Sequence, residues 1–79
     1  MSPKETPKQE LIRRLHEESQ NQGKMCSLEI ENEEMQDREI ISFYDLDFYY
    51  KATYIDNTYD DQLTHKHARH IHIRSYIFE

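Results

Sequence analysis

A chain of 79 residues that is 33% charged and 35% apolar, with a formal net charge of −6, can bury one small core and no more. That excludes a multidomain organisation, and no apolar run is long enough for a membrane span or a signal peptide. Net acidity also disfavours broad nucleic-acid binding, which needs Lys and Arg against phosphates, and favours a basic partner surface.

Six Tyr and three Phe supply large burial per side chain and place the sequence on the folded side of its border with disorder. Cys26 is the only cysteine, so one chain can form neither a disulfide nor a cysteine-based zinc site. A reducing cytoplasm is the expected compartment.

Residues 1–5 read as a loose polar tail. Thr6-Pro7-Lys8-Gln9 then reads as a helix start, with Thr6 as N-cap, Pro7 in the first turn and Gln9 closing a capping box. The helix is expected to run to about Gln22, where Gly23 provides a left-handed stop. Its apolar stripe is only Leu11, Ile12 and Leu15, enough to anchor one face on a sheet.

From Lys24 the period changes to two. Cys26, Leu28 and Ile30 alternate with Ser27, Glu29 and Glu31, which predicts a strand with one wet face and a buried, inert thiol. Asn32 to Asp37 reads as a turn and Arg38 to Tyr44 as a second strand. Phe48 to Ile55, rich in aromatic and β-branched residues, reads as a third strand with apolar groups on both faces. Asp45-Leu46-Asp47 between them is a hairpin loop or a bulge. Asp56 to Lys66 is a loop, and Ala68 to Phe78 a last strand.

The segment from His65 to Arg74 holds four of the five histidines. On a strand, His70, His72, Arg74, Tyr76 and Phe78 share one face, and Ile71, Ile73, Ser75 and Ile77 share the other, which reads as core. The His/Arg row has three readings. It could balance Glu29 and Glu31 across a strand pair, which needs nothing beyond a satisfied sheet surface. It could hold a metal, because two histidines one residue apart project in parallel. It could contact phosphate through Lys66, Arg69 and Arg74. Eleven acidic residues between Glu29 and Asp61, against Arg38 and Lys51 alone, oppose that third reading.

His70-Ile71-His72-Ile73 resembles the histidine–hydrophobe–histidine strand of HUH single-strand endonucleases, and more loosely that of the histidine-triad hydrolases. The resemblance covers at most His70 to Arg74. In the first family a tyrosine nucleophile follows on a helix, whereas Tyr76 here lies on the strand itself; in the second, a third histidine belongs where Arg74 stands.

The expectation is therefore an α+β fold: an N-terminal helix packed on a small four-stranded, mainly antiparallel sheet, with residues 6–79 forming a single domain. The expected role is non-enzymatic protein binding, with no cofactor. Glu29, Glu31, Glu33, Glu34, Asp37, Asp45 and Asp47 would form an acidic surface for a basic partner, and Tyr49, Tyr50, Tyr54 and Tyr59 would supply contact area. One form of such a module is an inhibitor that occupies a nucleic-acid-binding surface of its target, as some phage-encoded antagonists of host defence do. A homodimer is expected, because one helix cannot cover both sheet faces. The competing reading is a metal-binding or metal-dependent nuclease-like protein that holds a divalent metal on His70 and His72.

Overall fold

A computed structural model describes residues 4–79. Residues 1–3 of the expected tail lie outside the described residues. Helix α1 spans Pro7–Glu18, strand β1 Met25–Asn32, strand β2 Asp37–Tyr44, helix α2 Phe48–Thr58 and strand β3 Ile71–Phe78. A single 3-10 turn, Asp45–Asp47, joins β2 to α2. The sheet is three-stranded with β1 in the middle, β2 and β3 at its sides, and both pairings antiparallel.

The capping box forms as its sequence requires. Thr6 Oγ1 accepts the Gln9 amide at 3.2 Å, and Gln9 Oε1 accepts the Thr6 amide at 3.0 Å. The helix ends at Glu18, earlier than Gln22, in overlapping turns through Gln20 and Asn21. Gly23 adopts the left-handed φ of 78° that its position suggested, one residue before the chain enters β1 through Lys24. Between β1 and β2, Asn32 Oδ1 accepts the Met35 amide and Gln36 takes φ 51°, which closes the hairpin.

The fourth strand is absent because residues 48–58 are helical. Phe48, Ala52, Ile55 and Tyr59 are all buried, and their spacing of four, three and four residues brings them to one side of a helix. On a strand the same four would be scattered over both faces. Burial of that row outweighs the β preference of the aromatic and β-branched residues between them.

Both helices lie on one face of the sheet. Leu11 and Leu15 from α1 and Phe48, Ala52 and Ile55 from α2 pack onto Cys26, Leu28, Phe43 and Ile73. Phe48 sits at the centre, edge-on to Phe43 of β2 at 5.7 Å and to Phe78 of β3 at 5.9 Å between ring centroids. Arg14 of α1 stacks over Phe78, and Lys51 of α2 lies over Phe43. Thus α1 covers the β3 side and α2 the β2 side.

A β-bulge corrects the expected parity of β3. Glu29 pairs with Ser75 and Ile30 with Ile73, which leaves Arg74 unpaired. The bulge keeps Ile73 inside, opposite Ile30, and then turns Tyr76 and Phe78 inward opposite Leu28 and Cys26. Ile77, expected in the core, is 55% exposed.

Residues 59–70 form a loop tied to the outer edge of β3. The Ile73 amide donates to the Leu63 carbonyl, and the His65 amide to the Ile71 carbonyl. Asp60 organises this loop. Its carboxylate accepts the amides of Gln62 and Thr64 and the Arg69 guanidinium, while Leu63 is buried at φ 63°.

Candidate docking surface

The expected acidic residues fall into two groups, at opposite ends of the β1–β2 hairpin. Eight-residue strands separate those ends by about 25 Å at the usual rise per residue. At the turn end, the carboxylates are largely spent within the protein. Glu31 takes the Arg74 guanidinium, and Arg38 lies 3.4 Å from Glu29 and 3.6 Å from Glu31. Glu33 receives Arg74 at 2.7 Å. Glu34 lies 3.7 Å from His70 and remains mostly exposed, as does Asp37, whose carboxylate accepts the Arg38 amide.

The two histidines of the metal reading each have their own neighbours. His72 is largely enclosed. Its Nδ1 pairs with Thr64 Oγ1 at 2.9 Å, and its Nε2 lies 2.8 Å from Glu33 Oε1 at an angle too poor for a hydrogen bond. His70 turns instead towards Glu34. Among the described residues, no group of three or more His, Cys, Asp or Glu side chains is placed to hold a metal ion. Of the charge ladder expected between β1 and the last strand, the Glu31 part is present through Arg74, whereas Glu29 meets Arg38 of β2 instead.

Arg74 holds Glu31, and the Thr64 amide and Arg69 hold Asp60, below the usual carboxylate range. A carboxylate depressed in the folded state lends stability that is complete above its unfolded value and is lost as pH falls through its folded one. The melting temperature should therefore fall as pH drops below about 4, the unfolded carboxylate value. Replacing Arg74 with Met should flatten part of that acid limb. An acid limb unaltered by Arg74→Met would show that the Arg74–Glu31 pair does not contribute to it.

The other end of the hairpin is different. Asp45, Leu46, Asp47, Tyr49, Tyr50 and Tyr54 follow β2 directly, on the 3-10 turn and α2. Leu46 is 91% exposed, Tyr50 70% and Tyr54 48%. Tyr50 and Tyr54, four residues apart, form an outward stripe on α2, and Leu46 precedes them on the 3-10 turn. Tyr49 is exposed beside the stripe and stacks on His16 at 5.0 Å. Asp45 receives only the Gly23 amide, at 3.3 Å, and Asp47 forms no ion pair among the described residues. Tyr59, expected to join this surface, is in the core, and burial raises its phenol pKa.

Leu46 was not among the expected contact residues. Nothing in Asp45-Leu46-Asp47 marks it in the sequence, because an apolar residue between two polar ones ordinarily faces inward. Cys26 is wholly buried, and that burial pushes its thiol up to about 12, so no nucleophilic thiolate is available there. Among the described residues, no helix is long and apolar enough to cross a membrane. Comparison of the chain with protein-family models, with curated proteins and with solved structures finds no match.

Proposed function

We propose that this chain is a small, non-enzymatic protein-binding module whose contact surface is Leu46 with the Tyr50–Tyr54 stripe, flanked by Asp45 and Asp47. The observation that carries the reading is the exposure of Leu46 and Tyr50 at 91% and 70% beside two carboxylates that meet no cation among the described residues. Contiguous exposed apolar groups rimmed by charge are the usual mark of an interaction site. Tyrosines supply contact area at low entropy cost, and carboxylates steer the encounter towards a basic partner. In its inhibitor form, the module would occupy a nucleic-acid-binding surface of its target, with Asp45 and Asp47 standing against cations that otherwise meet phosphates.

The test is retention of partner from lysate by the immobilised protein at low and high salt, followed by binding kinetics on the purified pair. Leu46→Ala with Tyr50→Ala should weaken binding about tenfold or more at every salt concentration, mainly through faster dissociation. Asp45→Lys with Asp47→Lys should instead slow association and remove its salt dependence. For the inhibitor form, the bound partner should lose affinity for nucleic acid. A partner held equally well by both double variants would overturn the reading.

A further inference from the structure

The two edges of the sheet are finished differently. The outer edge of β3 is covered over Ile71 and Ile73 by the Asp60 loop and broken at Arg74 by the bulge. Among the described residues, the outer edge of β2 has no such cover. Its eight residues pair with β1 in one uninterrupted register, it contains no Pro, Gly or Lys, and Ile40 on it is 69% exposed. Sheet proteins ordinarily blunt such an edge, because its free amides and carbonyls template another strand.

The alternation of the ladder identifies those free groups. The Asp45 amide bonds the Lys24 carbonyl, and Met25 exchanges both of its bonds with Glu79 across β3. Residues opposite each other in an antiparallel pair alternate between bonded and non-bonded sites. Hence Asp37, Glu39, Ile41 and Phe43 bond to β1, and Arg38, Ile40, Ser42 and Tyr44 turn their backbone groups outward. The Arg38 amide, taken by the Asp37 carboxylate at 2.9 Å, fits this assignment.

We propose that the β2 edge receives β2 of a second copy of this chain, antiparallel about a two-fold axis through Ile41, which makes a continuous six-stranded sheet. This goes beyond the hetero-partner surface proposed above and does not depend on it. The register follows from two requirements. Both copies must keep their helices on the same face, so residues of like parity must meet. All four outward residues must also find partners. Ile41 opposite Ile41 does both, because it sets Ile40 against Ser42 and Arg38 against Tyr44 of the other copy. Centring on Ile40 instead would leave Tyr44 opposite Gln36, a turn residue at φ 51°.

Charge favours a second copy as the occupant. In this register Glu39 falls opposite Phe43 of the other copy, on the helix side of the sheet. Over that Phe43 lies Lys51, whose Nζ is 5.6 Å from the ring and which forms no ion pair among the described residues. Glu39 is exposed and likewise forms none. The pairing thus gives each unmatched charge its opposite, twice over by symmetry. On the same side, the partly buried Ile41 meets its own copy at the mouth of a 70 Å³ notch lined by Ile41, Phe43, Lys51 and Tyr54 among others. The one like-charge approach, Asp37 near Asp45, is open to water and screened at ordinary ionic strength.

Sedimentation velocity across about 1–100 µM tests the pairing on the whole chain and should show a reversible dimer. Ile40→Pro removes an outward amide that β1 does not use, so the sheet should persist by circular dichroism while the dimer is lost. Ile40→Lys, which leaves the backbone unchanged, should weaken the dimer in the same direction. Glu39→Lys and Lys51→Glu should each weaken association about tenfold or more, and the combined exchange should restore it. A parent chain that stays monomeric throughout overturns the proposal. So does a dimer indifferent to Ile40→Lys, or a double exchange no better than either single one.

Discussion

Phe48→Ala is expected to remove a large share of the protein's stability. The ring is fully buried and bridges Phe43 of one outer strand to Phe78 of the other, so it joins the two halves of the core. Truncating a phenylalanine in such a position costs about 3–5 kcal/mol, and more of the range applies where neighbours cannot collapse into the gap. A chain of this size has roughly 4–12 kcal/mol in total. The melting temperature should drop by roughly 15–30 °C. Tyr50→Ala is the matched control. At 70% exposure it should change stability by no more than about 0.5 kcal/mol. Were residues 48–55 a strand, Phe48 and Tyr50 would share a face, and both truncations would be costly. A calorimetric scan of the two variants therefore tests the helix itself, and comparable losses in both would refute it.

That pair of residues also marks where the sequence stops being legible. The helix start at Thr6, the period-two run of Cys26, Leu28 and Ile30, and the turn at Asn32 to Asp37 are written in local chemistry, and each is where it was expected. Phe48 to Ile55 is not local in that sense. Its composition favours a strand, while Phe48, Ala52 and Ile55 stand at helical spacing, and only their burial against the sheet decides between the two. The bulge at Arg74 is hidden for a similar reason. Ile71, Ile73 and Ile77 alternate as a regular core strand would, and the extra residue becomes visible only when Tyr76 and Phe78 must meet Leu28 and Cys26. For the proposed docking surface, charge and aromatic content name candidate residue types, but not how the fold divides them. Arg38 lies against Glu29 and Glu31, and Arg74 against Glu31 and Glu33, and this depends on which strands are neighbours. Asp45 and Asp47, which meet no cation among the described residues, stand beside the tyrosines, far from the turn where most acidic residues cluster.

Asp60→Ala should have the second largest effect, out of proportion to the removal of one partly exposed side chain. Its carboxylate holds two loop amides and the Arg69 guanidinium, and between those amides Leu63 is buried at φ 63°. A bulky residue in that region costs about 1–3 kcal/mol and persists only where its surroundings over-determine it. Without Asp60, the amides of Gln62 and Thr64 lose their acceptor, at about 1–3 kcal/mol for the part-buried one, and nothing offsets the conformation of Leu63. The loop should then detach from β3. Amide exchange at Ile73 and His65, whose donors bond across that seam, should accelerate at least tenfold while exchange in β1 stays slow. Asp60→Asn, which keeps an acceptor for the amides, should retain most of the protection. Detachment also frees an edge that the native chain covers. With β2 already open, each molecule would then offer two unlike edges, and a contact between unlike edges does not close on itself. Light scattering of Asp60→Ala should therefore rise with time and concentration where the parent stays constant, and Ile40→Pro in the same background should suppress the rise. Unchanged exchange at Ile73 in Asp60→Ala would show that the loop is held by its apolar contacts alone, with Leu63 and Tyr59 as the anchors.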